Sequence, residues 1–251
     1  MSDRRDFLRQ AVLSAMGVLL VGCDRISDSD TGPRILESAE GLTRRAQGLV
    51  SPASRLAREF SVSDISPVFK ANGTTMPTTE PYLALMRDGF RNYRLKVDGL
   101  VRRPGAWSCD ELRALGERTQ ITRHDCVEGW SAIGQWTGTP LAALLAAVEP
   151  TVSAKYVVFH CFDQWDDEVF YYESIDLEEA RHPQTILAYA LNGETLPVGN
   201  GAPLRLRVER QLGYKHAKYI ERIELVENFE DIGDGNGGYW EDNGYEWYAG
   251  I

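Results

Sequence analysis

Asn192-Gly193 lies between two strand-forming runs, Thr185–Leu191 and Glu194–Leu196. A tight primed turn needs positive φ at both central residues, which Asn and Gly tolerate, so this spacing predicts a two-residue β-hairpin. A hairpin commits this part of the chain to antiparallel sheet, and strand signals continue on both sides of it. Tyr93–Val101 alternates in places through Tyr93, Leu95 and Val97, and Gln120–Asp125, Lys155–Cys161 and Glu168–Tyr172 are rich in strand formers. Pro203–Val208 places Leu204, Leu206 and Val208 on one face and Arg205 and Arg207 on the other, and Ala217–Val226 is a final long run. Helix signals are short. Ser108-Cys109-Asp110-Glu111 is a capping box for a helix that stops at Gly116. Thr139-Pro140 reads as an N-cap and first helical position ahead of Leu141–Val148. Asp176, with Glu179 three residues on, caps another. Short helices scattered among many short strands predict a mixed α+β fold.

The N-terminal segment has a different character. Arg4-Arg5, then Phe7-Leu8 and an apolar run from Ala11 to Gly22, is a twin-arginine export pattern. The run is shorter than the roughly 20 residues that span a bilayer, which suits a signal-peptide core. It ends Leu20-Val21-Gly22-Cys23, a lipobox-like sequence in which the cysteine would be acylated. The expected organisation is a signal over 1–23, a polar tether over 24–56 with one short helix around Leu36–Ala46, a folded domain over 57–232, and an aromatic, acidic tail over 233–251. Once the leader is set aside, roughly 190–220 residues suffice for a single well-buried core. The net charge of −10 argues against a broad nucleic-acid surface. Among four cysteines no CxxC pair occurs.

Chemistry concentrates in Arg123-His124-Asp125-Cys126-Val127-Glu128-Gly129-Trp130-Ser131, where a strand ends and a Gly-containing loop begins. Arg123 and His124 beside Cys126 would favour its thiolate. On the residues alone Cys126 reads as a soft-metal ligand, a nucleophile paired with His124 two residues upstream, or a buried core cysteine. Downstream, Gly199-Asn200-Gly201-Ala202-Pro203-Leu204-Arg205 and Gly213-Tyr214-Lys215-His216-Ala217-Lys218 gather basic residues in an otherwise acidic chain. Glycine lets backbone amides approach an anion, and Arg and Lys supply charge-assisted donors, so these segments suit an anion pocket or, more simply, a solvated basic stripe.

Asp-Cys-Val-Glu-Gly-Trp-Ser at 125–131 and Trp136-Thr-Gly-Thr-Pro-Leu resemble the molybdenum-cysteine segment of the sulfite oxidase superfamily. Within it the chain is most similar to bacterial periplasmic methionine-sulfoxide reductase catalytic subunits. Gly-Ala-Pro-Leu-Arg and Gly-Tyr-Lys-His-Ala-Lys resemble that family's pterin-phosphate segments. The resemblance covers about residues 65–226 and implies a sulfite-oxidase-like molybdopterin-binding fold, making 57–232 the oxidoreductase domain. It implies Mo-molybdopterin as cofactor, bound at the metal through Cys126. Asn200 and Arg205 would hold the pterin and its phosphate, and His216, Ala217 and Lys218 would add contacts. Asn72 is a further candidate cofactor contact, in a segment that departs from the reductase pattern. Cys161 stands where the reductases carry a threonine, which makes His160 and Cys161 candidate catalytic or cofactor-facing residues.

The same resemblance implies oxygen-atom transfer to or from a small substrate such as sulfite or a sulfoxide. No haem-binding domain is recognised, so electrons would come from a separate membrane or periplasmic partner, a haem protein or a quinone-linked one. Twin-arginine export, which moves folded proteins, fits insertion of such a cofactor before transport. The expected location is the periplasm, on the outer face of the cytoplasmic membrane, tethered to lipid through Cys23. The alternatives are a cysteine hydrolase and a lipid-anchored module that binds an anion or a redox partner without catalysis. The tail from Gly237 to Ile251 is expected to cover the site mouth, dock a partner or shield a sheet edge. Cys23→Ser should move the protein from the membrane to the soluble fraction on fractionation; unchanged partitioning excludes the lipid anchor.

Overall fold

The computed structural model describes residues 55–166 and 169–251, all within one compact unit, Ala53–Ile251. The export signal, Cys23 and the expected tether helix lie outside the described residues, as does Glu168. In chain order the elements are α1 (Glu80–Arg87), β1 (Leu95–Gly99), β2 (Gly105–Trp107), α2 (Cys109–Ala114), β3 (Arg118–Asp125), β4 (Ser131–Pro140), α3 (Leu141–Val148), β5 (Tyr156–Asp166), β6 (Val169–Asp176), α4 (Leu177–Ala180), β7 (Ile186–Leu191), β8 (Glu194–Thr195), β9 (Arg205–Arg207), β10 (Ile220–Val226) and α5 (Tyr239–Asp242). This is the mixed α+β architecture that the strand and helix signals require.

Two five-stranded sheets carry the fold. The first runs β2-β1-β10-β5-β6, antiparallel except where the last strand, β10, lies parallel to the first, β1. The second runs β3-β4-β7-β8, with β9 joining the edge of β7 that β8 leaves uncovered. The Asn192-Gly193 hairpin forms as expected, with φ of 53° and 81° at the two turn residues. Asn192 also fastens the turn to β4: its side-chain oxygen accepts from Gln135 N at 2.9 Å, and its own N–H donates to Gln135 O at 2.7 Å. The main core lies between sheet and helix faces. The wholly apolar α3 buries Leu141, Leu144, Leu145 and Val148 there. Two buried tyrosines pin distant segments: Tyr82 donates to Ala202 O at 2.7 Å and Tyr93 to Ile220 O at 2.6 Å.

Two local expectations change. Thr139 does not cap α3. It pairs with Leu187 inside the sheet, its hydroxyl donates to Leu112 O at 2.9 Å, and β4 continues to Pro140, which takes the cap position. Sheet pairing supplies Thr139 with two partners where a cap supplies one. In β9 both faces are buried, so Arg205 and Arg207 point into protein and the solvated-stripe reading falls.

The capping box at the start of α2 forms in full: Ser108 Oγ accepts from Glu111 N at 3.2 Å, and Glu111 Oε2 accepts from Ser108 N at 2.8 Å. Ser108→Ala should therefore cost about 1 kcal/mol and lower Tm by roughly 2–4 °C, read by thermal denaturation.

Candidate functional site

Cys126 follows the last residue of β3, in the loop that returns the chain as β4. The loop closes on itself through Cys126 N–H to Trp130 O at 2.9 Å and Gly129 N–H to Cys126 O at 3.0 Å. The thiol is free, as are those of Cys109 and Cys161, and Cys126 is 8% exposed. Burial pushes the thiol up from its ordinary value. The expected help from Arg123 and His124 is absent. Arg123 turns outward to pair with Asp125 at 2.9 Å, while His124 is buried and held neutral. A bound metal cation is the agent that would take the proton's place on this sulfur.

His124 belongs to a buried polar chain. Arg207 Nη1 lies 3.0 Å from His124 Nδ1, and a guanidinium can only donate, so Nδ1 accepts. Burial and Arg207 keep the ring neutral, well below its ordinary pKa. Its proton therefore sits on Nε2, which has no partner among the described residues. Gly213 packs against this nitrogen: a Cβ there would come within 2.6 Å of it. His216 presents the opposite polarity. Its Nε2 lies 3.1 Å from Gln211 O and must donate, leaving the Nδ1 lone pair unpartnered 5.0 Å away by ring centroids.

Arg205 and Arg207 both lie over the face of buried Trp136, at 4.9 and 4.5 Å. Arg207 is neutralised by Glu209, with both side chains fully buried. Arg205 forms no ion pair among the described residues. Its Nη1 donates to Asn200 O at 2.9 Å, but Nε and Nη2 have no partner, nor does Asn200 Nδ2. Burial and Arg207 push Arg205 down to about 9, so it remains charged at neutral pH. A buried, unpaired guanidinium beside unpaired amide and imidazole N–H groups is costly unless an anion completes it. The residues thus fit a polar, anionic cofactor.

The Cys126 thiol opens on a cavity of about 140 Å³. Cys126, Asn72, His216 and Lys218 line it, together with Asp163 and the rings of Trp165, Tyr171, Tyr214, Trp240 and Tyr245. Lys218 acts as a clamp: its ammonium donates to the carbonyls of Asn72 (2.6 Å), Thr74 and Gly199 (3.2 Å). All three protons are spent, so Lys218 offers a bound anion its charge and not a hydrogen bond. Burial pushes Lys218 down to about 7 and Asp163 up to about 6. Ala217 is buried, and its carbonyl accepts from Leu206 N at 2.8 Å, tying the basic segment to β9.

The structure thus gathers Asn72, Cys126, Asn200, Arg205, His216, Ala217 and Lys218 into one region. His160 is a correction. Alternation along β5 sends His160 and Cys161 to opposite faces. His160 joins an outer cluster, 2.9 Å from Glu224 and beside Arg222, and lines surface grooves rather than the Cys126 cavity. Cys161, 1% exposed, packs in the core and borders one of the grooves that His160 lines, not the Cys126 cavity. A Cys126–His124 nucleophilic pair is also disfavoured, since the thiol is raised and the imidazole is engaged by Arg207. Among the described residues no three His, Cys, Asp or Glu side chains form a metal cage by themselves. Sequence reasoning missed Asp163, Trp165 and Tyr171, which carry no local motif because their neighbours are brought in from distant strands. The tail expected over the site mouth supplies Trp240 and Tyr245 to the cavity.

Comparison with known proteins gives the family. Residues 83–231 match the oxidoreductase molybdopterin binding domain. The chain is 37% identical over 253 residues to a putative protein-methionine-sulfoxide reductase subunit, YedZ1, of Azospira oryzae, covering 98% of this chain and 87% of the relative. It is 33% identical over 244 residues to the protein-methionine-sulfoxide reductase catalytic subunit MsrP of Xanthomonas axonopodis pv. citri, covering 91% of this chain and 71% of the relative. Among solved structures, the sulfane dehydrogenase SoxCD of Paracoccus pantotrophus matches at 20% identity and a TM-score of 0.49, over 59% of this chain and 45% of that one. The fold and site define a molybdopterin-dependent oxidoreductase. The chain belongs to the oxidoreductase molybdopterin-binding family, whose cofactor is Mo-molybdopterin.

Asp163 is 3% exposed, and burial lifts its carboxyl to about 6, above the ordinary aspartate value of 3.8. The folded state therefore holds the extra proton, and stability falls as pH rises from about 4 to 6, by on the order of 3 kcal/mol. In cofactor-free protein, Asp163→Asn should flatten that fall and raise stability above pH 6, measured by urea denaturation across the range.

Proposed function

We propose that the protein reduces an organic sulfoxide in the periplasm, using electrons from a separate membrane partner, while tethered to the outer face of the cytoplasmic membrane through acylated Cys23. The reaction balances as sulfoxide plus two electrons and two protons giving sulfide and water. The observation that carries the reading is the free, buried thiol of Cys126, facing a cavity bordered by His216, Lys218 and aromatic rings, with the unpaired donors of His124 and Arg205 in the layer behind His216 and Lys218. The methionine-sulfoxide reductase names of two relatives support the substrate class. The word subunit in both relatives' names supports a separate partner for the electrons. The arginine pair at the N-terminus and the Leu-Val-Gly-Cys sequence support export and the anchor.

When bound, the molybdenum centre supplies two-electron oxygen-atom exchange; the chain holds and tunes it. Cys126 would supply the thiolate ligand. Arg205, Asn200 Nδ2 and His124 Nε2–H, each with unspent donors, would hold the anionic and polar edge of the pterin. His216 Nδ1 offers the single acceptor in that cradle. Lys218 keeps the segment around Asn72 and Thr74 closed on the Gly-rich turn. The aromatic wall limits water at the reacting side.

Protein purified from cells that make molybdopterin should contain about one molybdenum per chain by elemental analysis and reduce methyl sulfoxides with a reduced viologen dye. Cys126→Ala should lose the metal and lose activity by more than the roughly 10–100-fold that follows loss of a residue supporting a ligand. Wild-type protein without molybdenum refutes the reading and leaves a binding module.

A further inference from the structure

The aromatic and acidic tail is stitched to the functional site by side chains. Lys215 Nζ, which follows the cavity residue Tyr214, donates to both Glu173 of β6 and Glu241 of α5. All three side chains are no more than 1% exposed. Burial holds Glu173 well above the usual carboxylate range, and Lys215 works against that shift. A buried lock of this kind is stable only with both segments in place. Further ties follow along the tail: Tyr172 hydroxyl to Asp242, Trp247 Nε1 to Ser174 Oγ at 2.8 Å, Tyr214 hydroxyl to Glu246 O at 2.6 Å, and Ala249 N to Gln211 Oε1 at 3.0 Å.

This lock delivers two tail rings, Trp240 and Tyr245, to the Cys126 cavity. Trp240 packs edge-on to Trp165 at 5.1 Å, and Tyr245 packs edge-on to Tyr214 at 5.2 Å, with Trp240 and Tyr245 5.2 Å apart. The fixed ring edges and faces form one wall. Aromatic faces are negative at their centres; they attract C–H groups and polarisable sulfur and give an oxyanion nothing to bind. The acidic side chains of Glu128 and Asp163 on the same cavity add to this, while Lys218, its N–H groups donated to carbonyls, offers an anion charge but no hydrogen bond.

We propose that the C-terminal tail is the specificity wall of the cavity: Trp240 and Tyr245 hold the apolar substituents of a neutral organic sulfoxide and thereby select it over small oxyanions. The inference rests on the sulfoxide reading above and names the residues that set its substrate class.

The test uses full-length, molybdenum-loaded protein. Its kcat/KM is measured for methyl phenyl sulfoxide and for dimethyl sulfoxide with a reduced viologen dye. Binding of methyl phenyl sulfone, a mimic that carries no reducible sulfoxide, is followed by tryptophan fluorescence. Trp240→Ala and Tyr245→Ala should each lower the phenyl-to-dimethyl ratio roughly tenfold, the factor expected for one lost ring contact, and weaken sulfone binding to match. Tyr245 is 40% exposed, so its variant keeps the test open should Trp240→Ala misfold. If wild type reduces both sulfoxides while the variants keep the wild-type ratio and sulfone affinity, the wall is overturned and the functional reading stands. If molybdenum-loaded wild type reduces neither sulfoxide, the functional reading falls, and the sulfone decides the wall: affinity lost in the variants supports it, affinity kept overturns it.

Discussion

Arg205 carries its charge where water does not reach, stacked with Arg207 on the face of Trp136, and only Arg207 has a carboxylate to answer it. Two nearby guanidinium groups in a low-dielectric core repel one another, and the usual remedy is a second acid. Among the described residues the second acid is missing and the spare donors of Arg205, Asn200 and His124 are left unpaired. The protein has built half of an ionic interaction into its interior. The other half must be an anion that brings its own hydrogen-bond acceptors, and the pterin cofactor of the family is one. Much of the surrounding structure reads as support for that arrangement, from the Glu209 counter-charge, which Gln120 holds at 2.9 Å, to the Lys218 clamp.

The protonation states around the thiol follow from the same low dielectric. Cys126 is raised because burial strips water from its thiolate, while His124 and His216 are neutral because burial and the two arginines disfavour any further positive charge. A neutral imidazole has one donor and one acceptor nitrogen. Arg207 and Gln211 O each fix the tautomer of one ring, so the two histidines present complementary edges. Charge, not proximity in sequence, selects which groups can meet a polar heterocycle.

Closure of the site is long-range at both ends. Asn72 and Thr74 arrive from the N-terminal side and are held by Lys218; Trp240 and Tyr245 arrive from the C-terminal side and are held through Lys215. In both cases a buried lysine reads acceptors from a segment far away in the chain. The cavity therefore exists only in the completed fold, and the strands between those two segments serve as its frame.

Local chemistry determined a good deal. The Asn192-Gly193 turn, the Ser108 capping box and the strand runs needed only neighbouring residues, because each rests on φ preference, a short-range hydrogen bond or a period of two. The segment around Cys126 and the order of Gly-rich, basic segments after it were equally legible, since a family resemblance is itself a local pattern. The fold decided what depends on facing. Alternation in β5 removed His160 from the site, and pairing to β7 kept Thr139 in the sheet instead of at a helix cap. Burial of both faces of β9 turned two arginines inward, and packing against β5 and β6 brought the tail rings to the cavity. Side-chain direction, burial and the partner across a gap are properties of the assembled chain. Sequence spacing alone supplies none of the dielectric and none of the long-range contacts that determine them.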